Sequence, residues 1–182
     1  MKKKFLLITG GTGGHVIPAV NFGNYLINKN IDCSIIVDKR GYKFIDNFNG
    51  QVYVISSSNL YGGIFQKILG IMLLFFGFIK SFFKIITIKP NKIISFGSYA
   101  SFFPMLSCVL IKSLYKSNIY IHEQNSVLGK TNKFFLNHSS KIFCNFDIEI
   151  DKSNKFNNKK FVVGTPQNYK RKIIKKKDNL NK

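Results

Sequence analysis

The chain has 182 residues, 45% of them hydrophobic, and its 28 Lys and Arg against 8 Asp and Glu give a formal net charge of +20. That apolar content supports a buried core and argues against wholesale disorder, and the length suits one good domain or two very small ones. Cys33, Cys108 and Cys144 lie far apart with no C-x-x-C, which argues against a disulfide framework or a zinc site and fits a reducing compartment.

The charge has two readings. It points to an anionic partner such as nucleic acid, anionic lipid or a phosphorylated substrate. It also fits AT-rich coding drift, because only Arg40 and Arg171 are arginines while Lys, Asn, Ile and Phe dominate together. Nucleic-acid binding needs a clustered basic and aromatic surface. The sequence does not display one, so no nucleic-acid partner is expected. Met1 to Lys4 resembles the start of a signal peptide, but the apolar run from Phe5 to Ile8 is too short to continue one.

In chain order, Phe5 to Thr9 is a short apolar run that ends in glycines and reads as a buried strand. A helix is expected from about Val16 to Asn28, with Pro18 in its first turn. Further strands are expected at Cys33 to Val37, Val52 to Ile55, Lys92 to Ser95 and Ile119 to Ile121, with a helix over about Ser101 to Leu114. Lys141 to Cys144 and Phe161 to Val163 are weaker strand candidates. Short apolar strands alternating with helices predict a doubly wound, parallel α/β sheet. From about Asp151 the texture turns to Asn and Lys, and Lys170 to Lys182 reads as a polar linker or tail.

The segment from Ile64 to Ile88 is strongly apolar, with twelve uncharged residues from Ile68 to Ile79 between Lys67 and Lys80. It reads as a buried helix of the sheet, as a membrane-surface helix with lysines meeting anionic lipid, or as a span, for which ~20 apolar residues are needed.

Three polar motifs follow strands, so all three fall on the edge where such sheets bind ligands. Gly10-Gly11-Thr12-Gly13-Gly14-His15 joins the first strand to the first helix. Its glycines let the backbone approach a ligand, and the helix start offers free N–H groups for a phosphate. Val16 stands where a nicotinamide-binding fingerprint needs its third glycine, although Asp38 could mimic the ribose-binding acid. His15, beside that phosphate site, is a candidate general base, because the helix start favours the neutral imidazole. Ser95-Phe96-Gly97-Ser98-Tyr99 repeats the logic after a second strand, with Ser98 able to donate a hydrogen bond and Tyr99 to stack or donate. His122-Glu123-Gln124-Asn125 follows a third. It lacks the second histidine of H-E-x-x-H, so no metal is expected. Glu123 and Asn125 could bind sugar hydroxyls or orient a base.

Together these segments resemble the MurG family of peptidoglycan glycosyltransferases. The family pattern G-G-T-G-G-H-x-x-P-A matches Gly10 to Ala19, the G-G-Y pattern matches Gly97-Ser98-Tyr99, and H-E-Q-N with its following glycine and T-N-K matches His122 to Asn125, Gly129 and Thr131 to Lys133. The match runs to about Pro166. The resemblance implies a Rossmann-like doubly wound sheet forming the N-terminal half of a GT-B glycosyltransferase. It also implies an inverting, cofactor- and metal-independent transfer from UDP-N-acetylglucosamine to the muramyl C4 hydroxyl of undecaprenyl-diphosphate-muramyl-pentapeptide (lipid I), forming lipid II. His15 and Glu123 match residues at the chemistry. Thr12, Gly13, Gly14 and Asn125 match nucleotide-sugar contacts, and Gly11, Gly97, Ser98 and Tyr99 complete the substrate-binding set. Residues 1–166 are expected to form this acceptor domain and 167–182 a basic tail, with the C-terminal donor domain absent. The implied location is the cytoplasmic face of the inner membrane, on an anionic surface. The alternative is a non-catalytic lipid-diphosphate-binding subunit of a split transferase, partnered by a separate donor domain. Two departures stand out: Ser98 replaces a glycine, and Asn168 replaces an arginine thought to meet the donor.

Overall fold

The computed structural model describes residues 3–57 and 63–167, so the expectations for Asn168 and for the basic tail from Lys170 fall outside the described residues. The strands are β1 (Lys4–Ile8), β2 (Asp32–Asp38), β3 (Gln51–Ile55), β4 (Lys92–Ser95), β5 (Asn118–Glu123), β6 (Lys141–Cys144) and β7 (Lys160–Val162). They form one seven-stranded sheet in the order β3-β2-β1-β4-β5-β6-β7, and every pairing is parallel. The helices are α1 (Gly13–Asn28), α2 (Ile64–Ile88), α3 (Phe102–Ile111) and the short α4 (Lys130–Phe134).

Alternation along the strands builds two cores, as a sheet buried on both faces requires. Leu6, Ile8, Ile36, Ile93, Ile119 and Ile121 point to the α2 and α3 side. Leu7, Ile35, Val37, Ile94 and Phe96 point to the α1 side. The three cysteines are free and buried. Burial pushes the Cys33 thiol up to about 12 and the Cys144 thiol up to about 11, so both stay protonated and unreactive.

Chain order reverses between β1 and β4. Successive strands step one way from β1 and the other way from β4, which makes the gap above their carboxyl ends the switch-point crevice of a doubly wound sheet. The glycine loop leaves β1 and the Phe96–Ser98 loop leaves β4, on the two lips of that crevice.

One helix starts earlier than the sequence suggests, and the long apolar segment is a helix over the bounds expected. Helix α1 starts at Gly13, three residues earlier than Val16, so Gly13, Gly14 and His15 form its first turn and Pro18 lies in its second. The backbone freedom of two glycines does not prevent helix here, because Thr12 is extended at φ −112° and ψ 163° and its carbonyl accepts from the His15 and Val16 N–H groups. The segment Ile64–Ile88 is one continuous helix of 25 residues. Leu74, Ile85 and Ile88 bury one side of it, and a Cβ on Gly77 would lie 2.4 Å from the Ser56 carbonyl oxygen, so that contact requires glycine. The opposite side leaves Ile64, Phe65, Ile68, Ile71, Phe75 and Phe76 each at least half exposed. By length and composition alone it could cross a membrane.

Candidate active site at the switch point

The Gly11 and Gly97 backbones pack closely against polar side chains of the neighbouring loop and of α4. Gly11 takes φ +76°, and a Cβ there would meet Ser98 Oγ at 2.8 Å. Gly97 takes φ +77°, and a Cβ there would meet Asn132 Nδ2 at 3.0 Å. Both positions therefore favour glycine by conformation, and a side chain at either would also have to displace the end of a neighbouring polar side chain.

A buried carboxylate holds the first loop. Asp38 ends β2 with no exposure and accepts from the Gly11 N–H at 2.8 Å, the Gly41 N–H at 2.9 Å, Ser57 Oγ at 2.8 Å and Arg40 Nε at 3.0 Å. Burial alone would raise its carboxyl, but these four donors outweigh burial and hold it below the usual 3.8. Enclosed in this way, Asp38 is not the ribose-binding acid of a nicotinamide fold, and that reading falls.

A second buried carboxylate holds the third loop. Glu123 is 1% exposed. Its Oε1 accepts from the Asn125 N–H and from Asn125 Nδ2, and its Oε2 from the Gly129 N–H and Asn132 Nδ2, all within 2.9–3.0 Å. Four donors close around it, so Glu123 shapes the loop that presents the exposed Asn125.

His15 joins the first loop to the other two. Its Nδ1 lies 2.9 Å from the Phe96 carbonyl oxygen and 2.9 Å from Gln124 Oε1. A carbonyl only accepts, so Nδ1 carries the hydrogen and the ring's lone pair sits on Nε2. The Gly13 and Gly14 N–H groups precede the first intrahelical bonds, and Thr12 makes no side-chain cap bond. The start of α1 thus combines unpaired donors, the positive end of the helix dipole and an imidazole able to take a proton, an arrangement suited to an anion beside a hydroxyl. Tyr99 is 40% exposed at the crevice, and burial raises its hydroxyl against the opposing pull of Arg40. Ser98 sits at φ 80° and ψ 147°, backbone that glycine favours, and its Oγ accepts from the Ala100 N–H at 3.4 Å. The structure thus brings Gly11, Thr12, Gly13, Gly14, His15, Gly97, Ser98, Tyr99, Glu123 and Asn125 to one edge. Asp38's cradle, Gln124 and Asn132 were not assigned these roles from sequence, because their side chains act on residues distant in the chain. Among the described residues, no group of three His, Cys, Asp or Glu could hold a metal ion.

A family model described as the glycosyltransferase family 28 N-terminal domain matches residues 5–144. The chain belongs to this family. The family 28 match spans the sheet from β1 to β6 and all three loops. Curated relatives include a protein of Rickettsia prowazekii (strain Madrid E), 37% identical over 145 residues that make up 80% of this chain and 36% of the relative. Another, from Anaplasma marginale (strain St. Maries), is 31% identical over 173 residues, 94% of this chain and 47% of the relative. Both are named UDP-N-acetylglucosamine--N-acetylmuramyl-(pentapeptide) pyrophosphoryl-undecaprenol N-acetylglucosamine transferase. The chain therefore spans less than half the length of these relatives. Among solved structures, MurG of Acinetobacter baumannii superposes with a TM-score of 0.72 at 22% identity, covering 91% of this chain and 46% of that one. A UDP-N-acetylglucosamine 2-epimerase superposes with a TM-score of 0.65 at 14% identity, covering 91% and 49%. These likenesses establish the family 28 domain as a Rossmann-like half of the GT-B fold.

Proposed function

We propose that this domain supplies the acceptor half of a hexosyltransferase of peptidoglycan synthesis, moving N-acetylglucosamine from UDP-N-acetylglucosamine to the muramyl C4 hydroxyl of lipid I to give lipid II. One observation carries the reading: His15, its Nδ1–H given to the Phe96 carbonyl, offers a free Nε2 beside the open N–H groups at the start of α1. In the proposed reaction the C4 oxygen attacks the anomeric carbon as its proton passes to His15 Nε2. The bond from that carbon to the diphosphate breaks with inversion, and UDP leaves. The Gly11–Gly14 backbone and the dipole of α1 bind diphosphate, Asn125 meets sugar hydroxyls, and Ser98 and Tyr99 line the far lip. Glu123 acts by shaping the Asn125 loop. The four donors around its carboxylate favour this positioning part over direct contact with the reacting atoms.

The exposed side of α2 fits a domain that works on a lipid-linked substrate. Its apolar residues would dip into the headgroup boundary at the cytoplasmic face of the inner membrane. A span is disfavoured, because Leu74, Ile85 and Ile88 are committed to the domain core. Lys80 donates to the Val54 carbonyl at 2.9 Å and Lys84 lies 4.7 Å from the Tyr53 ring centroid, so both are anchored to β3 at the border of the apolar side.

The test joins the 182-residue chain to the donor half of a relative and measures radiolabel transfer to a lipid-diphosphate acceptor analogue. Calorimetry on the chain alone should show acceptor binding and only weak affinity for UDP-N-acetylglucosamine. Acceptor binding without transfer in any such pairing would favour the non-catalytic binding reading. Robust transfer by the 182-residue chain alone would place the donor site within this domain and contradict the proposal.

A further inference from the structure

His122 has no part in the reaction above, yet it is 4% exposed at the end of β5 and stacks on Phe96 with ring centroids 5.1 Å apart. Its surroundings fix every proton between it and His15. Because the Phe96 carbonyl only accepts, His15 Nδ1 carries hydrogen, and Gln124 Oε1, 2.9 Å from the same nitrogen, accepts from it too. The Gln124 amide nitrogen then donates at 2.9 Å to His122 Nδ1 and at 3.0 Å to the His122 carbonyl. With Nδ1 accepting, His122 carries its hydrogen on Nε2, which lies 3.1 Å from the Gly164 carbonyl, again an acceptor only. Turning the Gln124 amide over would set its oxygen against the His122 carbonyl oxygen and its N–H groups against the His15 N–H. Main-chain carbonyls at Phe96 and Gly164 therefore permit one arrangement, and that arrangement leaves the lone pair on His15 Nε2.

We propose that Gln124 and His122 form a positioning relay that holds His15 in the tautomer a base requires and links it to the segment at Gly164. The proposal rests on His15 as the base. The far end of the relay forms part of the wall of a cavity of about 380 Å³, lined also by Phe22, Tyr25, Phe143, Val163 and Pro166. The Asn21 side chain holds this wall by donating to the Pro166 carbonyl at 3.1 Å. Neutrality of His122 supports the arrangement: burial lowers its basicity, against the upward pull of the Gly164 carbonyl and the Glu123 charge. Glu123 is the nearest acidic neighbour in sequence, and its carboxylate is occupied by the donors of Asn125, Gly129 and Asn132. The ionisable members of the relay are the two histidines themselves, and Tyr25 faces its far end from the cavity wall.

The test reads tautomers first. Nitrogen-15 NMR of the ring nitrogens in the 182-residue chain should find neutral His15 protonated on Nδ1 and neutral His122 protonated on Nε2. Gln124→Met keeps the volume and removes both polar ends. With the Phe96 carbonyl as the remaining partner of His15 Nδ1, it should keep the Nδ1–H tautomer as the main form but loosen the ring. In the chain joined to a donor half, it should lower kcat by up to about 100-fold with little change in KM, the scale of a misplaced catalytic group. Gln124→Glu keeps the acceptor and loses the donor. A carboxylate facing the His15 ring favours the imidazolium, so the acidic limb of the kcat profile should move to higher pH. If Gln124→Met does not fold, the wild-type tautomers and the Gln124→Glu profile decide. His15 carrying its hydrogen on Nε2 in the wild type, or an unmoved pH profile in Gln124→Glu, would overturn the relay. The expected tautomers together with full activity in His15→Ala would trace the failure to the base assignment instead.

Discussion

The Nδ1 atom of His15 lies 2.9 Å from the main-chain carbonyl oxygen of Phe96, so the end of β4 decides which nitrogen of the α1 histidine is free. Phe96 is 1% exposed and also stacks on His122, which makes it both a core residue and the anchor of the site. Phe96→Ala should cost about 3–5 kcal/mol, the usual range for emptying a buried aromatic site. Chemical denaturation measures it, and a loss under about 1 kcal/mol would show that this ring does not hold the strand end.

Ser98 occupies φ 80° and ψ 147°, where a side chain is strained by about 1–3 kcal/mol. Ser98→Gly should therefore stabilise the chain, even after the extra freedom glycine gives the unfolded state and the loss of the weak bond to the Ala100 N–H. The expected rise in Tm is about 2–4 °C per kcal/mol of net gain. A fall in Tm would mean that the Ser98 hydroxyl matters more than its backbone.

Glu123 and Asn125 should separate under mutation. Glu123→Ala leaves the Gly129 N–H and Asn132 Nδ2 without their acceptor, and should cost about 1–3 kcal/mol for each buried donor stranded. Asn125 is exposed, so Asn125→Ala should change stability by less than about 1 kcal/mol while weakening substrate binding. Thermal melts and acceptor or nucleotide-sugar titrations check the pair. Equal losses of stability would make Asn125 a structural residue.

The Asp38 cradle sets a pH dependence. Its carboxyl is held below 3.8 in the folded chain by the donors that outweigh burial, so the folded state binds its proton less readily than the unfolded state. The sign follows: this stabilisation is complete above the unfolded value near 3.8 and is lost as pH falls through the folded value below it. Asp38→Asn should cost about 2–3 kcal/mol at neutral pH, the range for a lost charge-assisted hydrogen bond, and should flatten that acid limb. Stability measured from pH 7 downward shows whether the limb belongs to Asp38.

The apolar side of α2 predicts membrane binding that depends on Phe75 and Phe76, both 59% exposed. Phe75→Ser with Phe76→Ser should reduce binding to anionic vesicles strongly and leave the melting temperature nearly unchanged, because both rings lie away from the core side. Lys80→Glu with Lys84→Glu should weaken binding with salt sensitivity, at about 1 kcal/mol per basic residue near such a surface. These lysines are also tied to β3, so the variant's melting temperature must be read alongside its binding.

The strands, their parallel character and the shared edge of the three motifs were legible in the sequence, because short apolar runs ending in glycine, serine or histidine mark buried strands with functional turns. The helix start at Gly13 was not, since glycine propensity argues against helix and the extended Thr12 cap wins only in the fold. The continuous α2 was legible as an apolar segment, but its buried side depends on Gly77 meeting Ser56 and on contact with α3, which spacing alone does not give. The roles of Asp38, Gln124 and Asn132 were hidden for the same reason: Asp38 reaches the Gly11 N–H 27 residues away and Gln124 reaches His15 across 109. Such partners are created by the sheet order.

The central claim is that His15 Nε2 takes the acceptor proton at the switch point of an acceptor domain. The most direct measurement is kcat for radiolabelled N-acetylglucosamine transfer, at saturating donor and acceptor, by the chain joined to a family donor half, with and without His15→Ala. Loss of about 10²-fold or more in kcat with acceptor binding retained is the predicted result, the scale of a lost general base. Turnover close to wild type in His15→Ala would contradict the account.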